Sequence, residues 1–267
     1  MGRQQVLIVG GAKGVGEATV QLLAAEGRDL IVVDRDQAAL QQLGERVSRH
    51  VLDITDRAAV KRLFGQLQAE GASLRSLVIC AGVHSTYPVE YIPDEVIDQV
   101  IEVNFAAHVR LVREALPLIE DGGSIIAVSS IAATVGIPMS SMYSASKAAL
   151  ELFYESLATE ISYRKIRPVI VQAGNVNTGF NETGNLYEAT GNKPVDEGYR
   201  RVVSRMESSK GMPAMAVAKV IRKAVDSPKP RLCYIVGANA LKAFWARRLL
   251  GRSTAVRLLA RHFGFKP

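Results

Sequence analysis

Tyr143 and Lys147 stand four residues apart in SSIAATVGIPMSSMYSASK, residues 129–147. On a helix this spacing puts a phenol and an ammonium on one face, a turn apart. An ammonium close to a phenol favours the phenolate, so the Tyr143 pKa is expected to fall from about 10 toward working pH. A tyrosine so placed is an acid or base for an alcohol or a carbonyl. Ser130 ends the preceding strand, where its hydroxyl can bond the same substrate oxygen. A lone Tyr-x-x-x-Lys is common by chance. It gains specificity here because it follows a strand ending in Ser-Ser and lies downstream of a glycine loop.

That loop is Gly10-Gly11-Ala12-Lys13-Gly14-Val15-Gly16, set between an apolar run and a helical pattern. Glycines are needed where the turn is tight and where backbone must approach a pyrophosphate, and the helix N-terminus beyond offers unpaired N–H groups. Gly10, Gly14 and Gly16 are spaced G-x-x-x-G-x-G, a weak motif alone that its strand–helix setting makes a dinucleotide site. The second strand ends at Asp34, whose carboxylate can accept bonds from the adenosine ribose hydroxyls and would repel a 2′-phosphate. That favours NAD. Lys13 and Arg35 pull toward NADP, since either could hold a phosphate, or they are solvated surface charge. Asp53-Ile54 ends the third strand; Asp53 could bond the adenine amino group or cap the next helix.

The elements that must position these groups alternate. Strands are expected at 6–10, 29–34, 50–54, 76–82, GSIIAVSS, RPVIVQAG and 233–237. Helices are expected between them, including one from about Asp94, its N-cap, to about Ile119 and another from Tyr143 to about Arg164. Such alternation predicts an α/β fold: a Rossmann-type, doubly wound parallel sheet in a single domain, with its ligand crevice at the carboxyl ends of the strands. Residues 1–240 read as the dinucleotide-binding catalytic part. Within it, a glycine-rich segment at about 177–212 is expected to lie over the crevice as a substrate lid. Residues 241–267 read as a basic, amphipathic helical extension of the same domain.

Over about residues 5–240 the chain resembles the short-chain dehydrogenase/reductase family. The matching residues are the Gly10/Gly14/Gly16 loop, Asp53, Ala81-Gly82, Asn104, Ser130, Tyr143, Lys147 and Gly174 through Val176 to Thr178. The resemblance implies that Ser130 polarises the substrate oxygen and that Tyr143 transfers the proton. It implies that Lys147 binds the nicotinamide ribose and tunes Tyr143, and that Asn104 holds a water relaying protons to Lys147. Thr178 would bond the nicotinamide carboxamide. The chain departs from the pattern at Val9, usually Thr, at Ile79-Cys80, usually Asn-Asn, and at Ala173, usually Pro. These departures bear on loop rigidity and cofactor affinity. Pro168 falls inside a strand, which must tolerate a missing donor there.

Composition bounds the rest. The 267 residues are 48% hydrophobic, ample for one core. Cys80 and Cys233 sit in apolar runs and read as buried free thiols; with four scattered histidines, no metal site is suggested. MGRQQVLIVGG does not read as a signal peptide, and no apolar run reaches membrane-span length, so a cytoplasmic enzyme is expected. The net charge is +7, and residues 242–267 carry seven Lys or Arg and no Asp or Glu. A basic tail on an otherwise neutral chain argues against a nucleic-acid-binding surface. Two tail helices are expected at 239–250 and 253–263, parted by Gly251. Leu241, Phe244, Trp245 and Leu249 would share one face, as would Val256, Leu259 and Phe263. Those faces either pack on protein or meet a membrane surface or acidic partner. His84, after the fourth strand, could touch substrate but reads rather as a polar loop residue, no paired carboxylate being evident, and Tyr87, Phe180, Tyr187 and Tyr199 read as pocket lining or packing. Leu111, Val112, Leu150, Phe153 and Leu157 are candidates for a helix-to-helix subunit contact in a homodimer or homotetramer.

The expected function is NAD(P)-dependent interconversion of a secondary alcohol and a ketone on a hydrophobic, steroid-, retinoid- or lipid-like substrate. A ketoreductase for carrier- or coenzyme A-tethered substrates is the alternative within the class. A non-catalytic dinucleotide-sensing protein is the alternative outside it, and retention of Tyr143 and Lys147 speaks against that reading.

Overall fold

The computed structural model of the chain describes residues 4–44, 47–180 and 185–266, the side chains of 185 and 186 excepted. Seven parallel strands form one sheet: β1 (Gln5–Val9), β2 (Asp29–Asp34), β3 (Val47–Val51), β4 (Leu74–Ile79), β5 (Ile119–Ser130), β6 (Arg167–Ala173) and β7 (Cys233–Val236). Their order is β7-β6-β5-β4-β1-β2-β3. The chain runs outward from β1 to one edge, then returns to β4 and fills the other side. The order therefore reverses between β1 and β4, which is where such sheets open a ligand crevice.

The strands are apolar throughout because both faces are covered. Successive side chains point to opposite faces. Leu7 and Val9 of β1 enter one core, with α3 (Arg57–Ala69), α5 (Ala107–Ala115) and α6 (Ser141–Glu160). Val6 and Ile8 enter the other, with α1 (Gly14–Ala25) and α8 (Ala214–Asp226), which also pack on each other. Asp56 caps α3 by accepting from the Ala58 and Ala59 amides, so the capping role open to Asp53 belongs to its neighbour. Pro168 is tolerated because β7 pairs with β6 only from Ile170 onward; at Pro168 the sheet continues on the β5 side alone.

Several expectations are corrected. The helix expected from Asp94 to Ile119 is α4 (Asp94–Ile101), a π-helical turn at Glu102–Ala106, then α5 and a 3₁₀ turn at Leu116–Leu118. Pro93, not Asp94, takes the N-cap position. Strand β5 begins at Ile119, and α6 ends at Glu160 before a 3₁₀ turn. Leu111, Val112, Leu150 and Leu157 are buried within the core, and Phe153 packs against it, so this set is not an open subunit surface. The two helices fill the space between sheet and solvent, and their richer apolar faces serve that. Cys233 is exposed on the edge strand β7, and Cys80 is only partly buried.

The lid segment contains a full helix, α7 (Lys193–Ser208), anchored by two short ladders: Asn185–Leu186 on Ser85–Thr86 and Met212–Pro213 on Val176–Asn177. Residues 181–184 of that segment lie outside the described residues. The tail, α9 (Ala238–His262), breaks at Gly251, whose φ of 74° lies in the left-handed region that glycine takes without strain. Its second half packs inward through Ala255 and Phe263; in its first half Leu241, Trp245 and Leu249 point to solvent.

Candidate active site

A cavity of about 970 Å³ runs along the carboxyl ends of the strands, from the loop after β1 past β4, β5 and β6 to the tail. Every residue singled out in the sequence for catalysis or cofactor binding lines it, except Asn104.

At one end the glycine loop turns under α1. A Cβ on Gly16 would collide with the Gly10 carbonyl oxygen, and Gly10 itself has a φ of +74° with Ala81 of the neighbouring loop packed against it. Helix α1 starts without a side-chain cap, leaving first-turn amides for a ligand. Asp34 does more than face this end. Its carboxylate accepts from the Ala12 amide at 3.0 Å and from the Asp36 amide at 3.0 Å, bracing the loop that lacks a threonine at Val9. A carboxylate retains lone pairs for further donors after two such bonds. Lys13 is paired with Asp36 at 2.6 Å, whereas Arg35 is exposed on the cavity wall. Asp53 accepts from the Thr55 amide and hydroxyl in a turn, and Ile54 is buried beside it. Thr178 lies directly over Gly14, from whose ideal Cβ position its own Cβ is 3.2 Å away.

At the other end Ser130, Tyr143 and Lys147 converge. Ser130 closes β5 and its hydroxyl accepts from the Ala132 amide at 3.2 Å. It also bonds the Tyr143 hydroxyl. Burial pushes the Tyr143 phenol up to about 12, with the Ser130 bond opposing. The sequence expectation of a lowered value is therefore corrected: the ammonium of Lys147 sits 5.9 Å from the Tyr143 ring centre and donates instead to the Val128 carbonyl at 3.0 Å. Lys147 is itself buried and held down to about 8, with Glu151 opposing that fall. Tyr143 is thus a protonated phenol at neutral pH, competent to give a proton.

Asn104 sits on the π-helical turn and is fully buried. It clamps Val83, accepting from that amide at 2.8 Å and donating to its carbonyl at 2.9 Å, and donates to Ser146 at 3.1 Å. Its carbonyl oxygen and the Lys147 ammonium lie 3.2 and 3.4 Å from the position of a Cβ on Gly82. Asn104 and Lys147 thus meet behind the Ala81-Gly82 backbone. His108 donates to the Ala81 carbonyl at 3.0 Å from the same side, and burial together with Lys147 holds its pKa down to about 3.

Sequence reasoning left some groups of this end between two readings and missed Glu151. His84 is buried, with its ring centre 4.8 Å from that of Tyr143, and burial holds it neutral, at about 4. It is a wall of the cavity beside Tyr143, the place its substrate-contact reading describes, and not a solvated loop residue. Glu151 lies one turn beyond Lys147 and accepts from Ser129 at 2.6 Å and Gln172 at 3.0 Å; burial raises its pKa. Its spacing from Lys147 was the available signal. Of the four lid and loop aromatics, Phe180 reaches Tyr143 and the cavity, while Tyr187 packs with Tyr87, Tyr91 and Tyr199 and donates to Asp196.

Comparison with known proteins follows the same lines. The short chain dehydrogenase profile matches residues 4–188. The chain is 33% identical over 190 residues to a 3-ketodihydrosphingosine reductase of Bacteroides thetaiotaomicron, covering 70% of each chain. It is 26% identical over 253 residues to an NADPH-dependent 3-dehydrocapnine reductase of Ornithobacterium rhinotracheale, covering 88% of each. Among solved structures, a short-chain dehydrogenase from Streptomyces avermitilis superposes with a TM-score of 0.81 at 24% identity, covering 98% of this chain and 97% of that one. One from Burkholderia cenocepacia, in complex with NADP, gives 0.76 at 21% identity, with 97% and 98% covered. At these identities the structures speak for the fold.

Proposed function

The chain belongs to the short-chain dehydrogenase/reductase family of NAD(P)-dependent alcohol and ketone oxidoreductases, and from that premise we propose that it is a ketoreductase acting on a hydrophobic, lipid-like ketone. The observation carrying this reading is the convergence of Ser130, a protonated Tyr143 and Lys147 at one end of a large cavity whose walls beyond them are apolar, among them Ile131, Val135, Phe180, Leu258 and Phe263. Two of its relatives are named as reductases at a 3-keto or 3-dehydro position.

The residues present fit a dinucleotide: glycine at positions 10 and 16 lets the loop close tightly on Ala81 and on its own backbone, and α1 offers uncapped amides for a pyrophosphate. Asp34 would take the adenosine ribose, Asp53 and Ile54 the adenine, Lys147 the nicotinamide ribose and Thr178 the carboxamide. What the reduced dinucleotide supplies when bound is a hydride from its nicotinamide C4. Ser130 donates to the ketone oxygen and fixes its position. As that oxygen gains negative charge, Tyr143 gives it the phenolic proton, and the product is a secondary alcohol. Lys147 stabilises the phenolate left behind, and Asn104 holds the Val83 backbone and the proton path behind Lys147.

Asp34, held at the end of β2, favours NAD over NADP, because a 2′-phosphate would meet it at close range, and Lys13, which could offset that, is occupied by Asp36. Steady-state kinetics with NADH and NADPH against long-chain, steroid, retinoid and sugar ketones tests the reading. Turnover of the long-chain ketones with a preference for NADH is expected. Turnover of sugars alone would overturn the substrate class, and a preference for NADPH of about tenfold would reverse the cofactor assignment.

A further inference from the structure

Helix α9 leaves one face of its first half uncovered. Leu241, Trp245 and Leu249, each four residues from the next, are 47%, 47% and 74% exposed, and Leu250 next to them and Val256 and Leu258 beyond the break at Gly251 are exposed as well. A line of large apolar side chains exposed along one helix face marks a contact surface. The charged side chains of the tail itself are all positive. Residues 242–267 carry Lys242, Arg247, Arg248, Arg252, Arg257, Arg261 and Lys266 with no carboxylate, and none of the seven forms an ion pair among the described residues. The patch is extended by α7. Arg200, Arg201 and Arg205 line a second cavity together with Ser204, Ser208 and Phe263 of the tail, and no carboxylate lines it. Arg201 also stacks over the tail residue Phe265, at 5.7 Å, which fixes the two elements side by side.

We propose that this face docks the enzyme on the surface of an anionic lipid bilayer, Trp245, Leu241 and Leu249 entering the interface and the arginines meeting the headgroups. Charge complementarity selects the occupant. A second copy would bring the same cations against these, which repel. Tryptophan and leucine flanked by arginine, with no acid, suit an interface that is apolar below and anionic above. No helix among the described residues is long and apolar enough to cross a membrane, so α9 lies on the surface. The position of the patch gives it a use. Lys242, Ala243, Ala246, Leu258 and Leu259 of the same tail line the cavity that ends at Tyr143. A lipid-like ketone leaving the bilayer would enter between the tail and α7, without crossing water. That last step rests on the ketoreductase reading; docking itself does not.

Co-sedimentation of the full chain with phosphatidylglycerol-containing vesicles and with pure phosphatidylcholine vesicles, without substrate or cofactor, tests docking alone. Pelleting with the anionic vesicles should exceed that with the neutral ones by about tenfold or more and fall with added salt. The double variant Trp245→Ala/Leu249→Ser removes only exposed side chains outside the cavity lining, so it should keep the parent's circular dichroism and its activity on a soluble ketone while losing most of the pelleting. Arg248→Gln/Arg252→Gln should lose it too, with the apolar face intact. Equal, negligible pelleting with both vesicle types would overturn the proposal, whatever the substrate proves to be. So would pelleting that the Trp245→Ala/Leu249→Ser variant retains, or a dimer in light scattering that this variant splits while vesicles are ignored. If docking holds but no ketone is turned over, the proposed function fails and the docking surface stands.

Discussion

Helices α6 and α9 present the same spacing with opposite chemistry. On α6, Tyr143, Lys147 and Glu151 follow one another at four-residue intervals and turn inward, toward the cavity and the sheet. On α9, Leu241, Trp245 and Leu249 follow the same intervals and turn outward. An ordinary amphipathic helix buries its apolar stripe and solvates its polar one. Each of these helices violates that rule in one direction. Burying a charged group costs free energy unless it is paired and hydrogen-bonded, and α6 meets that condition through the Val128 carbonyl, Ser129 and Gln172. Exposing leucine and tryptophan forgoes burial, and the edge-on contact of the Phe244 ring with Trp245 restores it only in part. The inward polar line, the proposed reaction centre, has its hydrogen-bond partners within the chain. The outward apolar line points to a partner outside the chain.

Breaking the inward line at its first residue should have the largest effect. Tyr143→Phe removes the proton that is transferred to the substrate oxygen and leaves only the Ser130 hydrogen bond there, so the turnover rate should fall by about 10²- to 10⁴-fold. Cofactor affinity, measured by fluorescence titration with NADH, should stay within a few-fold of the parent, because the phenol acts in the transition state. A variant keeping more than a few per cent of the rate would remove Tyr143 from its assigned role.

The second and third residues of the line should couple through pH. Lys147 carries its proton below about 8 and loses it above, so the reductase rate is expected to decline as pH rises through that value. The Glu151 carboxylate raises the Lys147 pKa. Glu151→Gln removes that charge while keeping a side chain able to bond Ser129 and Gln172, so the declining limb should move to lower pH. At pH 8 the rate should drop about two- to tenfold and recover at lower pH. A uniform loss at all pH values would make Glu151 a packing residue only.

How much of this was legible in the chain follows from the range of the interactions. The glycine loop, Ser130 and the Tyr143/Lys147 pair are local patterns, and the strand-helix alternation that carries them is local too. The structure brings them to one cavity as the alternation required. What the sequence concealed depends on contacts between distant segments. The Glu151–Gln172 bond joins α6 to β6, and the Asp34–Ala12 bond joins the end of β2 to the loop after β1; neither has a periodic signature. The π-helical turn that aims Asn104 at Val83 is a one-residue excess inside an otherwise regular helix. His84 became cavity wall because the lid covers it, and the lid's helix α7 was hidden by the glycines around it. The Tyr143 pKa was misjudged in direction because spacing reports proximity to an ammonium and says nothing about desolvation, which prevails here.

The smallest expected effect sharpens the contrast most. If the leucines of the two helices do different work, removing them should differ in stability and not only in activity. Leu150→Ala on α6 leaves a cavity in the core beneath the sheet and should lower the unfolding free energy by about 2–5 kcal/mol. Trp245→Ala/Leu249→Ser on α9 removes side chains that solvent already reaches, and each change should stay within about 0.5 kcal/mol in urea denaturation. The m-value of this variant should be unchanged, since the surface exposed on unfolding hardly alters. A loss of several kcal/mol on α9 would mean that its apolar line is held by the protein itself, and the two helices would then be two versions of one packing solution. A negligible loss leaves Trp245 and Leu249 with no role in holding the fold, which is the condition under which an external surface has to account for them.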